Sequence, residues 1–190
     1  MKYDVVWLKR QYDSGVRPSF LFFSVKSDEI ASSEQTVLSQ WYPSPFHVLG
    51  EGYAHAAHWM MVQKAKLFGD HRAVSDLFSG TENQAILKRG RNIEGFDQAR
   101  WDAVKYDIVV QGNLHKFSQH KALQAYISGT HPWVLTEANP EDAVWGIGMR
   151  ENAPGARNPH CWNGLNLLGF ALMEVRDILG DVIGDVSSVL

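Results

Sequence analysis

The chain is short of several things, and each shortage excludes a class of protein. It holds one cysteine, Cys161, in 190 residues, so no internal disulfide framework can form and a reducing compartment fits. No run approaches the roughly 18 apolar residues that span a bilayer. The first residues, MKYDVVWLKR, are too polar for a secretory leader. These features predict a cytoplasmic protein without a membrane partner. The formal charge is −3, which excludes a global field attracting nucleic acid; such contact would need a local patch, for instance Lys88, Arg89 and Arg91. There is no phosphate loop, no G-x-S-x-G elbow and no dinucleotide fingerprint, because Gly146-Ile147-Gly148 lacks a third glycine. His55 and His58 stand three apart with no glutamate between them, and His160-Cys161 lacks ligand spacing. Neither a metal nor a cofactor is expected.

What is present is the composition of a folded domain, 45% apolar and 21% charged, with length for one ordinary core over residues 1–190. Seven tryptophans, some beside glycine or proline, suit a lined pocket as well as a core. YDVVWL (3–8), SFLFFSVK (19–26) and WVLTEA (133–138) read as strands, with a shorter one near Phe46–Leu49. LSQWYPSPFHVLGEG, between them, is a long structured loop. Helices are predicted over about 55–68, 71–79, 81–90, 98–119, 121–128 and 162–179. The third opens on the capping-box spacing Thr81-Glu-Asn-Gln84, and the last carries Leu165, Leu168, Leu172, Val175 and Leu179 on one face. Residues 180–190 read as a loose tail. Helices dominate and there is no βαβ rhythm, so the fold class is α+β, helix-rich, with a few short strands.

Three polar residues stand out. In YAHAAHWMMVQKAKLFGD, residues Tyr53, Ala56, Ala57, Met60, Met61, Leu67 and Phe68 gather on one helix face. Lys64 falls near its middle, while His55, His58 and Lys66 fall on the other side. Burial there would lower the lysine's pKa towards a nucleophilic range, although a structural lysine fits the same pattern. Asp142 lies in a turn just before Trp145-Gly-Ile-Gly148, where Gly146 and Gly148 would let backbone approach a ligand. Asn166 interrupts an apolar run, as a polar contact or as capping chemistry.

In combination the segments LSQWYPSPF, HWMMVQKAKLFGD, GRNIEGFDQARWDAV, GNLHKFSQH, LTEANPEDAVWGIGM and NLLGFALMEVRDIL resemble the NADAR family, in order from about Leu38 to Leu179. The resemblance implies a metal-free N-glycoside hydrolase of α+β fold. Two activities are known in the family: release of ADP-ribose from modified guanine in nucleic acid, in some bacteria as the antidote to an ADP-ribosylating toxin, and cleavage of phosphoribosylamino-pyrimidine intermediates of riboflavin synthesis. The family glutamate that precedes the pair His58-Trp59 is replaced here by Ala57. Alanine in a faithful motif favours a replacement made to hold substrate without turnover; the alternative is a natural member that binds without cleaving.

The resemblance further implies that Lys64 contacts or attacks the sugar C1, forming a Schiff base with the opened ribose. Asp142 becomes a second carboxylate, and Trp101 an essential residue that, with Trp145, stacks on base or sugar. Trp41, Tyr42 and Ser44 would cover the substrate, Arg91 would take phosphate and Asn166 a ribose hydroxyl. Positions 57 and 64 lie seven apart, two turns along one helix. ADP-ribosylated guanine in DNA or RNA is the expected substrate. The riboflavin intermediate and a non-catalytic ADP-ribose-binding module are the alternatives.

Overall fold

The computed structural model describes residues 1–24, 34–80 and 82–187. The described elements are α1 (Val5–Asp13), β1 (Phe20–Phe23), a 3-10 turn (Glu34–Leu38), β2 (Phe46–Val48), β3 (Glu51–Tyr53), α2 (Ala56–Phe68), α3 (His71–Ser79), α4 (Asn83–Arg91), α5 (Gln98–Ser118), α6 (Lys121–Gly129), β4 (Val134–Glu137), a second 3-10 turn (Pro159–Cys161) and α7 (Leu167–Ser187). This is the helix-rich α+β class that the sequence predicts. Along the chain they divide into two compact units, Met1–Ser24 with Lys121–Leu190, and Val25–His120.

The first unit is assembled from both ends of the chain. β1 pairs in parallel with β4, from Phe20 opposite Val134 to Phe23 opposite Glu137. β4 is buried at every position, as a parallel strand covered on both faces should be. α7 packs on β4 and α6 on α7. The helix comes unusually close: a Cβ on Gly169 would sit 2.1 Å from the Leu135 carbonyl oxygen, so only glycine fits there. The N-terminus is tied to this helix by Lys2 Nζ and the Tyr3 hydroxyl, each 2.6 Å from Asp177 Oδ2.

The segment 3–8, expected as a strand, is instead the start of α1. Asp4 decides the matter: its Oδ1 accepts the Trp7 amide at 2.6 Å, an N-cap that satisfies one orphan donor of the first turn. Tyr3 and Trp7 meet edge to face, and Leu8 is fully buried. The β-branched pair Val5-Val6 carried the strand signal, and capping with side-chain packing outweighs it. Two further expectations shift. α7 begins at Leu167 and leaves Leu165 exposed, and it runs on to Ser187 through most of the expected tail.

In the second unit α2 is central, packed by α5, α3 and α4. Its N-terminus meets the β2–β3 hairpin, in which Phe46 pairs with Tyr53. The hairpin turns at Leu49-Gly50, both with positive φ, the two-residue turn whose twist suits antiparallel strands. α4 starts after Glu82, which makes no side-chain cap; the Thr81 of the expected capping box lies outside the described residues.

Candidate active site

α2 is buried almost all round, not along one stripe. His55 and His58, placed by periodicity on an outer face, are both buried. His55 caps the helix: its Nδ1 accepts the His58 amide at 3.1 Å and its Nε2 meets Asn83 Oδ1 at 2.9 Å. His58 Nδ1 accepts the Ala54 amide at 3.1 Å. Burial pushes His55 down to about 4 and lowers His58 as well, so both are neutral, structural imidazoles at physiological pH. Periodicity misplaces them because rings from neighbouring elements cover them: Tyr53 and Phe78 each lie within 6 Å of the His58 ring, and Trp41 lies against His55.

Lys64 is half-buried, as its place on the helix predicts. Its Nζ donates to the Gly90 carbonyl at 2.9 Å and lies 4.4 Å from the Phe96 ring centroid and 5.6 Å from that of Trp101. Aromatic faces stabilise the ammonium, whereas loss of water disfavours it. Burial wins, and the Lys64 pKa is lowered. Trp101, on the first turns of α5, is therefore brought to the lysine. Arg91 follows the Gly90 that accepts from Lys64 and is exposed at the end of α4.

The loop bearing Trp41, Tyr42 and Ser44 runs over the N-terminus of α2. Ala57 is fully buried and its amide donates to the Gln40 carbonyl at 2.9 Å. The buried Gln40 side chain leaves its Oε1 without a partner among the described residues. Trp41 stacks obliquely on His55, with centroids 5.2 Å apart. Ser44 is buried, its hydroxyl donating to the Tyr42 carbonyl at 2.8 Å. This loop is held by a residue the sequence reading passed over. Lys116 of α5 is fully buried, its Nζ donates to the Val37 and Ser39 carbonyls at 2.6 and 2.8 Å, and the Tyr42 ring lies 5.6 Å away. Burial brings its pKa down to about 7.

The remaining candidates lie in the first unit and converge on the end of β4. Asp142 Oδ1 accepts the amides of Val144 and Trp145 at 2.9 and 2.7 Å, an Asx turn that fixes the half-buried Trp145 and occupies one carboxylate oxygen. The two glycines answer to crowding. A Cβ on Gly146 would meet the Glu137 carbonyl oxygen at 2.8 Å, and Gly148 has φ +66 with Asn163 packed against it. Asn166 is fully buried at φ +53. Its Oδ1 accepts the Glu137 amide and its Nδ2 donates to the Leu135 carbonyl, both at 3.0 Å. Both ends of its amide are thus committed to the strand, a strap rather than a free ligand. Asn166→Ala should lower unfolding free energy by about 3 kcal/mol, since two buried backbone groups lose their partners. Urea denaturation should show a lower midpoint at unchanged slope.

Glu137 was also missed. Its side chain is buried, Oε2 has no hydrogen-bond partner among the described residues, and burial together with the charge of Asp142 pushes it up to about 8. The signal was legible in principle: a glutamate ending a strand that is apolar on both faces has nowhere to send its charge.

The sequence from residue 22 to 180 matches the NADAR domain. The chain is 36% identical over 146 residues to N-glycosidase R617 of Acanthamoeba polyphaga mimivirus, covering 74% of this chain and 86% of that protein. It is 27% identical over 135 residues to N-glycosidase YbiA of Escherichia coli, covering 71% and 76%, and 26% identical over 139 residues to N-glycosidase Npun_R5314 of Nostoc punctiforme, covering 73% and 82%. The NMR structure of E. coli YbiA superposes with a TM-score of 0.67 at 24% identity, covering 87% of each chain, and so shares the fold. The chain belongs to the NADAR domain family, and with it to a family of N-glycosidases.

Proposed function

We propose that the reaction served by this site is release of ADP-ribose from ADP-ribosylated guanine in DNA or RNA, and that Ala57 leaves the chain impaired in it. The observation that carries this reading is Lys64: an amine with lowered pKa, held between Phe96 and Trp101 on the family's own helix. An amine nearer neutrality can attack C1 of the bound ribose, the ring oxygen leaving C1 with its electron pair and taking the amine's proton. The C1–N bond breaks with its electron pair passing to nitrogen, which takes a proton. Water then adds across the imine and returns the lysine as a free amine. Trp101 offers a face for stacking and exposed Arg91 suits phosphate; the family resemblance assigns Asp142 and Trp145 the roles of second carboxylate and stacking ring. Trp41 and Tyr42 cover the substrate. An ADP-ribosyltransferase toxin is the partner activity that would write the mark.

Alanine offers none of the proton chemistry of the glutamate usual at position 57, and that absence favours a second reading, a module that binds ADP-ribose without turnover. Ala57→Glu decides between them. Restoring a carboxylate should raise release of ADP-ribose from an ADP-ribosylated guanosine oligonucleotide at least about tenfold. No gain with retained ADP-ribose binding selects the module. Turnover of a phosphoribosylamino-pyrimidine instead selects the riboflavin-pathway activity.

A further inference from the structure

The first unit carries a recessed surface whose residues have no part in the chemistry above. Two hollows, of about 590 and 650 Å³, share Tyr12 and Arg157 as a common wall. One extends along Phe22 and the loop 151–158; the other along Arg17, Phe20 and Trp133. Each contains a guanidinium laid on an aromatic ring. Arg17 lies 4.7 Å from the Tyr12 centroid, and Arg157 lies 5.1 Å from that of Phe22. Arg17 Nη1 donates to the Tyr12 and Val16 carbonyls at 3.0 and 3.2 Å, which fixes the plane of its fork.

Both arginines are exposed. A guanidinium stacked on a ring keeps its in-plane N–H edge for an anion, and phosphate matches that edge. Trp133, at 46% exposure, is an uncommonly open indole at the rim of the second hollow. A free-standing aromatic face beside fixed cations is what single-stranded nucleic acid uses: phosphates on the arginines, a base on the ring. Of the acids nearby, Asp13 is tied to His160 at 2.7 Å, and Glu151 lines the hollow that Arg157 walls and Arg17 does not.

We infer that this groove binds a single strand of nucleic acid, with successive phosphates on Arg17 and Arg157 and a base stacked on Trp133. Two hollows in series, with Arg157 on the wall they share and Arg17 in one of them, fit consecutive nucleotides better than one free nucleotide. The inference deepens the proposed function by naming single-stranded nucleic acid as the class of substrate, and it rests on that reading for its biological sense.

The test is fluorescence anisotropy of the full chain with a labelled, unmodified single-stranded 12-mer (about 12 nucleotides suffices for the track) over a range of salt. The parent should bind, and log K should fall with log salt. Arg17→Ala/Arg157→Ala should weaken binding about tenfold and reduce the salt slope by about 1.4, the value for two phosphates on a single strand. Trp133→Ala should weaken binding about tenfold with the slope unchanged, since stacking releases no counterions. That split is one that a general loss of structure would not produce. No binding by the parent, or an unchanged slope in the double variant, overturns the inference. So does competition by free ADP at the strand's own concentration, which would make the groove a nucleotide pocket. Because the probe carries no ADP-ribose, this result stands apart from whether the chain releases it.

Discussion

In the Ala57→Glu protein, Lys64→Met is expected to cut release of ADP-ribose by about three orders of magnitude and to abolish any adduct trapped by borohydride in the presence of substrate. Methionine keeps an unbranched stem of similar length between Phe96 and Trp101, so packing is nearly preserved while the amine is gone. The stability cost should be small. The Gly90 carbonyl loses its donor, which costs about 1–2 kcal/mol, but a half-buried ammonium also disappears, which offsets part of that. Melting temperature therefore separates a chemical role from a structural one. The sign of the pH dependence follows from the lowered pKa: the amine fraction grows as pH rises through the folded value, so release should climb on that limb and the methionine variant should lack it. An adduct that persists in Lys64→Met would assign the imine to another amine. Release that survives without any adduct would favour direct displacement by water.

Parts of this arrangement were legible in the sequence because they depend on spacing along a single element. Lys64 lies where 3.6 residues per turn puts it, and the Asp97 cap and the α5 boundaries follow from local signals. What was not legible depends on neighbours from elsewhere in the chain. His55 and His58 look like an outer face until Trp41 is packed on the one and Tyr53 and Phe78 on the other. Asn166 looks like a cap until β4 supplies two backbone partners thirty residues away. Lys116 shows a similar gap: nothing in NLHKFSQ says that two carbonyls of the 37–39 segment await it. The α1 error is of another kind. There the local evidence was split between β-branched residues and an aspartate cap, and the cap prevailed.

The two buried titratable groups Glu137 and Lys116 make opposite predictions about pH, and together they shape the stability curve. Glu137 has its pKa raised from 4.5 to about 8. The folded chain therefore holds this proton where the unfolded chain has lost it, and stability drains away as pH rises from about 4.5 through 8. Lys116 has its pKa lowered from 10.5 to about 7. Here the unfolded chain binds the extra proton, so stability is regained between about 7 and 10.5. The unfolding free energy should thus pass through a minimum near pH 7–8, each limb reaching several kcal/mol at about 1.4 kcal/mol per tenfold change in proton affinity. Glu137→Gln should remove the acid-side decline and keep the alkaline rise. Lys116→Met should do the reverse, from a lower starting stability because the Val37 and Ser39 carbonyls lose their donor. Denaturant titrations at pH 5, 7.5 and 10 read all three curves. A decline between pH 5 and 7.5 that survives in Glu137→Gln would mean the carboxylate is ionised in the fold, with its unpartnered Oε2 solvated. If the decline disappears, a carboxylic acid stays protonated at neutral pH within the influence of Asp142.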